Sequence, residues 1–145
     1  MRNLHVIATL ILLAASTRSI AQVPRATSPG TSTLSAGNVE HGRYIAEHVA
    51  MCIECHSGRD AAGNIVKGQE YMGGEIPFRP PWANEWATRA PRNRGLPAYD
   101  DGQALRLLTQ GAIGRDGQPL RLPMPRFRMT PQDAADVVAF LRSLP

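Results

Sequence analysis

The sequence predicts an all-α domain, and three observations carry that reading. Stretches near both ends, Asn38 to Cys52 and Thr130 to Leu144, repeat apolar residues at helical spacing behind a capping residue. A third stretch, Asp100 to Gln110, runs from aspartate caps to a stopping glycine, Gly111. Between them the chain is dense in helix and strand breakers, including Gly58, Gly63, Gly68, Gly73, Gly74, Pro77, Pro80, Pro81, Pro91, Gly95 and Pro97.

Of the 145 residues, 1–21 read as an export leader. Arg2 supplies a positive start, Val6 to Ala15 is apolar apart from Thr9, and Ser19-Ile20-Ala21 offers small residues for cleavage after Ala21. The apolar run is well short of the roughly 20 residues that span a bilayer. No cysteine beside the cleavage position marks a lipid anchor. Residues 22–37, rich in Pro, Ser, Thr and Gly, are expected to form a flexible linker. Residues 38–145 are one domain's worth, and no further apolar run suggests a transmembrane segment in the mature protein.

The first helix is expected to start at Asn38, with Gly42, Ile45, Val49 and Cys52 on one face and Tyr44 beside it. A glycine on that face permits close approach of another helix, although it costs about 1 kcal/mol against alanine. The second helix presents Ala104, Leu105 and Leu108, with Leu107 at the edge. The last has the clearest start: Thr130 at the N-cap, Pro131 at N1, and Asp133 completing a variant capping box. Ala134, Val137, Leu141 and Leu144 form its apolar face, flanked by Val138 and Phe140, and the Gly42 stripe is its natural partner.

The chemistry lies in Cys52-Ile53-Glu54-Cys55-His56. C-x-x-C-H reads as a covalent attachment motif for a c-type haem. Each thiol can add to one vinyl group of a single porphyrin, and the adjacent histidine is then held as an axial ligand. A thioredoxin-like site would want a βαβ context, and a zinc site about four ligands; the chain has only these two cysteines and no second ligand pair. A haem also explains how the irregular segment 57–99 acquires a core. Tyr71, Phe78, Trp82 and Trp86 can wrap the ring, and Tyr71, Trp82, Trp86 and Arg79 are candidate donors to its propionates.

The formal charge of +4 includes Arg2 and Arg18 of the leader; without them fourteen basic side chains face twelve acidic ones, a net +2. Two propionates bring that near zero, so nothing favours nucleic-acid binding. Cations do cluster late in the chain, at Arg115, Arg121, Arg126 and Arg128 around Met124.

The second axial ligand has several candidates: Met51, Met72, Met124, Met129, His41 and His48. Met51 and His48 sit on the attachment helix, His41 at its outer end, and Met129 beside the last cap. Met124, stiffened between Pro123 and Pro125, is best placed, with Met72 and Met129 as alternatives. A thioether there favours ferrous iron.

With these residues assembled, the chain resembles class I (mitochondrial-type) c-type cytochromes, and among them bacterial periplasmic monohaem cytochromes and the cytochrome subunits of periplasmic dehydrogenases. The resemblance rests on Gly42-Arg43-Tyr44-Ile45, on the Cys52 to His56 motif, on Met124-Pro125, and on Met129 to Asp133 and Ala139 to Pro145. It implies three to five helices around one covalently bound haem, terminal helices crossing at Gly42, and His56 and Met124 as axial ligands. It further implies a periplasmic electron carrier, not an enzyme, shuttling single electrons between a dehydrogenase and a terminal acceptor, as a monomer or as a subunit of a heteromeric oxidoreductase. A five-coordinate haem enzyme or sensor is the third reading; it needs a distal acid or base, and no histidine follows His56. Members of the family also offer a proline carbonyl to the proximal histidine. Here Ser57 to Glu75 holds no proline, making Pro77 the first candidate.

Overall fold

The computed structural model describes residues 36–82 and 85–145. The expected leader and almost all of the expected linker lie outside the described residues.

Helix α1, Val39–Tyr44, starts at Asn38, whose side chain accepts from the His41 N–H. It runs into a π turn, Ile45–Val49, closed by the bond from Ala50 N–H to the Ile45 carbonyl at 2.7 Å. A π turn carries one residue more than an α turn, so the apolar face shifts. Ile45 and Ala46 are buried, whereas Val49 is 61% exposed. The even stripe expected from Gly42 to Cys52 is therefore broken at Val49. Tyr44 also faces outward, its ring 5.7 Å from that of His48.

Met51 follows with φ of 54°, turning the chain into α2, the single turn Cys52–Cys55. Two short strands, β1 (Gly74–Glu75) and β2 (Arg89–Ala90), pair antiparallel and are the only ladder of the irregular middle among the described residues. Helix α3, Asp101–Thr109, carries a full capping box: Asp100 accepts from Gln103 N–H and the Gln103 side chain accepts from Asp100 N–H. Its buried residues are Ala104, Leu107 and Leu108, with Leu105 only partly covered. Helix α4, Pro131–Ser143, begins at Thr130, which accepts from Asp133 N–H and donates its hydroxyl to the Asp133 carboxylate at 2.7 Å.

Helices α1 and α4 cross at Gly42 as expected. A methyl group there would overlap the Asp136 carbonyl oxygen and stand 3.0 Å from the Phe140 Cβ. One buried charge seals the crossing. Asp136, 3% exposed, accepts from Asn38 N–H at 2.8 Å, His41 Nδ1 at 2.7 Å and Gln132 Nε2 at 2.8 Å. Three donors compensate the burial of that carboxylate, as a charge removed from water requires. Beneath the crossing, Ile45, Ala46, Val137, Val138, Phe140 and Leu141 form the core, with Tyr71 edge-on to Phe140 at 5.6 Å between ring centres.

Candidate functional site

The core opens into a cavity of about 560 Å³, within the roughly 300–1,000 Å³ range of cofactor pockets. Leu107, Leu108, Phe127, Val137, Val138 and Leu141 give it apolar walls. Cys52, Cys55, His56 and Met124 all line it, brought from the α2 turn and from a segment seventy residues later.

His56 is the most constrained of the four. Its backbone N–H donates to the Cys52 carbonyl at 3.0 Å, and its carbonyl accepts from Gly73 N–H at 2.8 Å. Its ring Nδ1 lies 2.7 Å from the Pro91 carbonyl oxygen. That oxygen only accepts, so Nδ1 carries the proton, and in the neutral ring Nε2 bears the lone pair a metal would use. Burial pushes the His56 pKa below its ordinary value, and the Pro91 bond opposes the shift without cancelling it. The acceptor expected nearest in sequence, Pro77, is not the one used. The β1–β2 pairing folds the chain back so that a residue 35 positions away reaches the ring.

Both cysteines are unpaired. Burial raises the Cys52 thiol to about 11 and also raises that of Cys55. At neutral pH both are therefore protonated thiols.

Among the methionines, Met124 and Met51 line the cavity; Met72 and Met129 do not. Met129 packs against the core and its N–H donates to the Leu108 carbonyl. Met51, 47% exposed, stands directly before the first thiol. His41 is tied to Asp136 and His48 lies beside Tyr44 with the rings tilted by 43°, and neither lines the cavity.

None of the four expected propionate donors lines the cavity. Tyr71 is buried against Phe140, Trp86 spends its indole N–H on the Phe78 carbonyl at 2.8 Å, and Trp82 is 81% exposed. The polar residues on the lining are instead Arg89, Arg92, Asn93, Tyr99, Arg121 and Glu54. No local motif marks these positions in the sequence.

The residues present fit a covalently held porphyrin. The walls are apolar, two thiols stand three positions apart beside a neutral imidazole with its Nδ1 satisfied, a thioether lies on the same lining, and most polar lining residues are cationic or neutral donors. The Cytochrome c family model matches residues 39–145. No curated protein matches the chain.

Proposed function

The chain belongs to the cytochrome c family, whose members are haem-bearing electron-transfer proteins, and from that membership we propose a class I, periplasmic monohaem carrier. It would pass single electrons from a dehydrogenase to a terminal acceptor. The observation that carries this reading is the meeting of Cys52, Cys55, His56 and Met124 on one apolar cavity.

In this proposal Cys52 and Cys55 would hold haem c through two thioethers, and His56 and Met124 would ligate its iron. The bound haem supplies an iron centre that changes oxidation state by one electron. The chain's part is to hold both ligands still and keep water out. The Pro91 carbonyl fixes the His56 tautomer and strengthens the ring as a donor. Leu107, Val137 and Leu141 exclude solvent, and the thioether of Met124 favours the reduced state.

The remaining parts of the reading rest on sequence. Residues 1–21 would direct export and be removed, 22–37 would tether, and 38–145 would be the carrier domain. Exposed Arg115, Arg121, Arg126 and Arg128 would guide an acidic partner surface toward the Met124 segment. A second reading, a tightly held subunit of a dehydrogenase, is favoured by exposed apolar Phe78 on the cavity lining and Leu122 between the lining residues Arg121 and Pro123, because exposed apolar surface of this kind marks interfaces.

The test is to produce the protein with a haem-attachment system and titrate it. The proposal expects haem that survives denaturing electrophoresis, is lost on Cys52→Ser with Cys55→Ser, and follows a reversible one-electron curve. Haem that dissociates on denaturation would overturn it.

A further inference from the structure

We propose that Arg142, near the end of α4, is a positioning residue for His56. The inference rests on the reading of His56 as an axial ligand. The Arg142 guanidinium donates to four oxygens of one passing segment. Nε bonds the Asp101 carboxylate at 2.9 Å, one terminal nitrogen bonds the carbonyls of Gly95 at 2.6 Å and Leu96 at 3.1 Å, and the other bonds the Tyr99 carbonyl at 2.7 Å.

Those carbonyls belong to the irregular stretch that carries the His56 acceptor. Pro91 offers its carbonyl to Nδ1, and only three residues separate it from Gly95. The stretch between is drawn tight: Asn93 N–H and Arg94 N–H both donate to the Tyr71 carbonyl, and Leu96 N–H donates back to the Asn93 carbonyl. Gly95 N–H adds a second tie to α4 through the Leu141 carbonyl at 2.8 Å. Leu96 is held at φ of 48°, a left-handed conformation that a leucine keeps only when its surroundings over-determine it. Leu96, Ala98 and Tyr99 also line the cavity. One planar fork on the last helix thus fixes the segment whose upstream end sets the Pro91 carbonyl against the imidazole. A lysine has no such fork and cannot reproduce it.

The consequence reaches the ring. If the segment loosens, the Nδ1–H bond lengthens, the imidazole donates less electron density, and the oxidised state loses support. The test compares haem-loaded wild type with Arg142→Met, Arg142→Lys and Asp101→Asn, reading the solvent exchange of the His56 ring N–H by NMR and the reduction potential. The expected result is exchange at least tenfold faster and a raised potential in both Arg142 variants. Asp101→Asn, which leaves the three carbonyl bonds in place, should match wild type. Should Arg142→Met not fold, Arg142→Lys, which keeps the charge, carries the comparison. Arg142 variants that lose thermal stability while keeping wild-type exchange and potential would overturn the proposal. A wild type without a ligated His56 would instead overturn the reading beneath it.

Discussion

Gly42 and Asp136 meet backbone to backbone where the first and last helices cross, with no room for a single methyl group between them. The same Asp136 turns its side chain to Asn38 and His41 at the start of α1, so one residue of α4 fixes both the distance and the register of the crossing.

Gly42→Ala is therefore expected to destabilise the fold severely, by about 3 kcal/mol or more, at the upper end for overpacking. Gly102→Ala is the matched control, since its methyl would meet only the Asp100 carboxylate, at 3.4 Å, and the Arg106 guanidinium, at 3.8 Å. Urea unfolding checks both. Equal losses at the two sites would contradict the tight crossing.

The carboxylate of Asp136 predicts an acid-sensitive clasp. Burial works to raise its pKa, but the bonds from Asn38, His41 and Gln132 outweigh it and hold the group below its ordinary 3.8. A depressed folded-state value means that the stabilisation is complete above the unfolded value and disappears as pH falls through the folded one. Asp136→Asn should cost about 1.5–3 kcal/mol at pH 7, the range for hydrogen bonds to a charged group. The gap between variant and wild type should begin to narrow below about pH 4 and keep shrinking as pH falls through the lower folded-state value. A gap that stays constant down to pH 3 would contradict this.

Tyr71 and Ser57 make an opposed pair of predictions. The Tyr71 hydroxyl is buried with no hydrogen-bond partner among the described residues, so Tyr71→Phe should leave stability unchanged or improve it. The Ser57 hydroxyl accepts from the buried Tyr71 N–H at 3.1 Å, and Ser57→Ala should cost about 1–3 kcal/mol by orphaning that donor. Thermal unfolding of the two variants separates them.

The arginine cluster predicts salt-dependent electron transfer. Oxidation of the loaded protein by an acidic protein acceptor should slow as ionic strength rises toward 0.1 M, where screening acts over about 10 Å. Arg121→Glu with Arg126→Glu should flatten the dependence. Stopped-flow rates that ignore salt in both proteins would remove the docking role.

Local chemistry was legible in advance, and long-range geometry was not. The caps at Asn38, Asp100 and Thr130 depend on residues within four positions and appear as read, except that the Asp133 carboxylate takes the Thr130 hydroxyl in place of the backbone N–H of a capping box. The Gly42 crossing could be inferred because a small residue on an apolar stripe has few other uses. Val49 departs from the stripe its spacing predicts because a π turn leaves no composition signal. Asp136 reads as an ordinary solvent-facing acid until Asn38 and His41, at the start of α1, join Gln132 of its own helix as donors. The Pro91 carbonyl is invisible for the same reason, since a backbone oxygen acquires its role only when two short strands fold it back. The cavity contacts that the chemistry of Trp82 and Trp86 permits are denied by the path of the chain.

The most direct test of the account is the optical spectrum of the haem-loaded protein, oxidised and reduced, with and without carbon monoxide, beside Met124→Ala. Ligation by His56 and Met124 predicts a weak near-infrared sulfur-to-iron band in the oxidised wild type, no reaction of the reduced form with carbon monoxide, and loss of both properties in the variant. A wild type that lacks the band and binds carbon monoxide readily would contradict it, and would point to an open iron site.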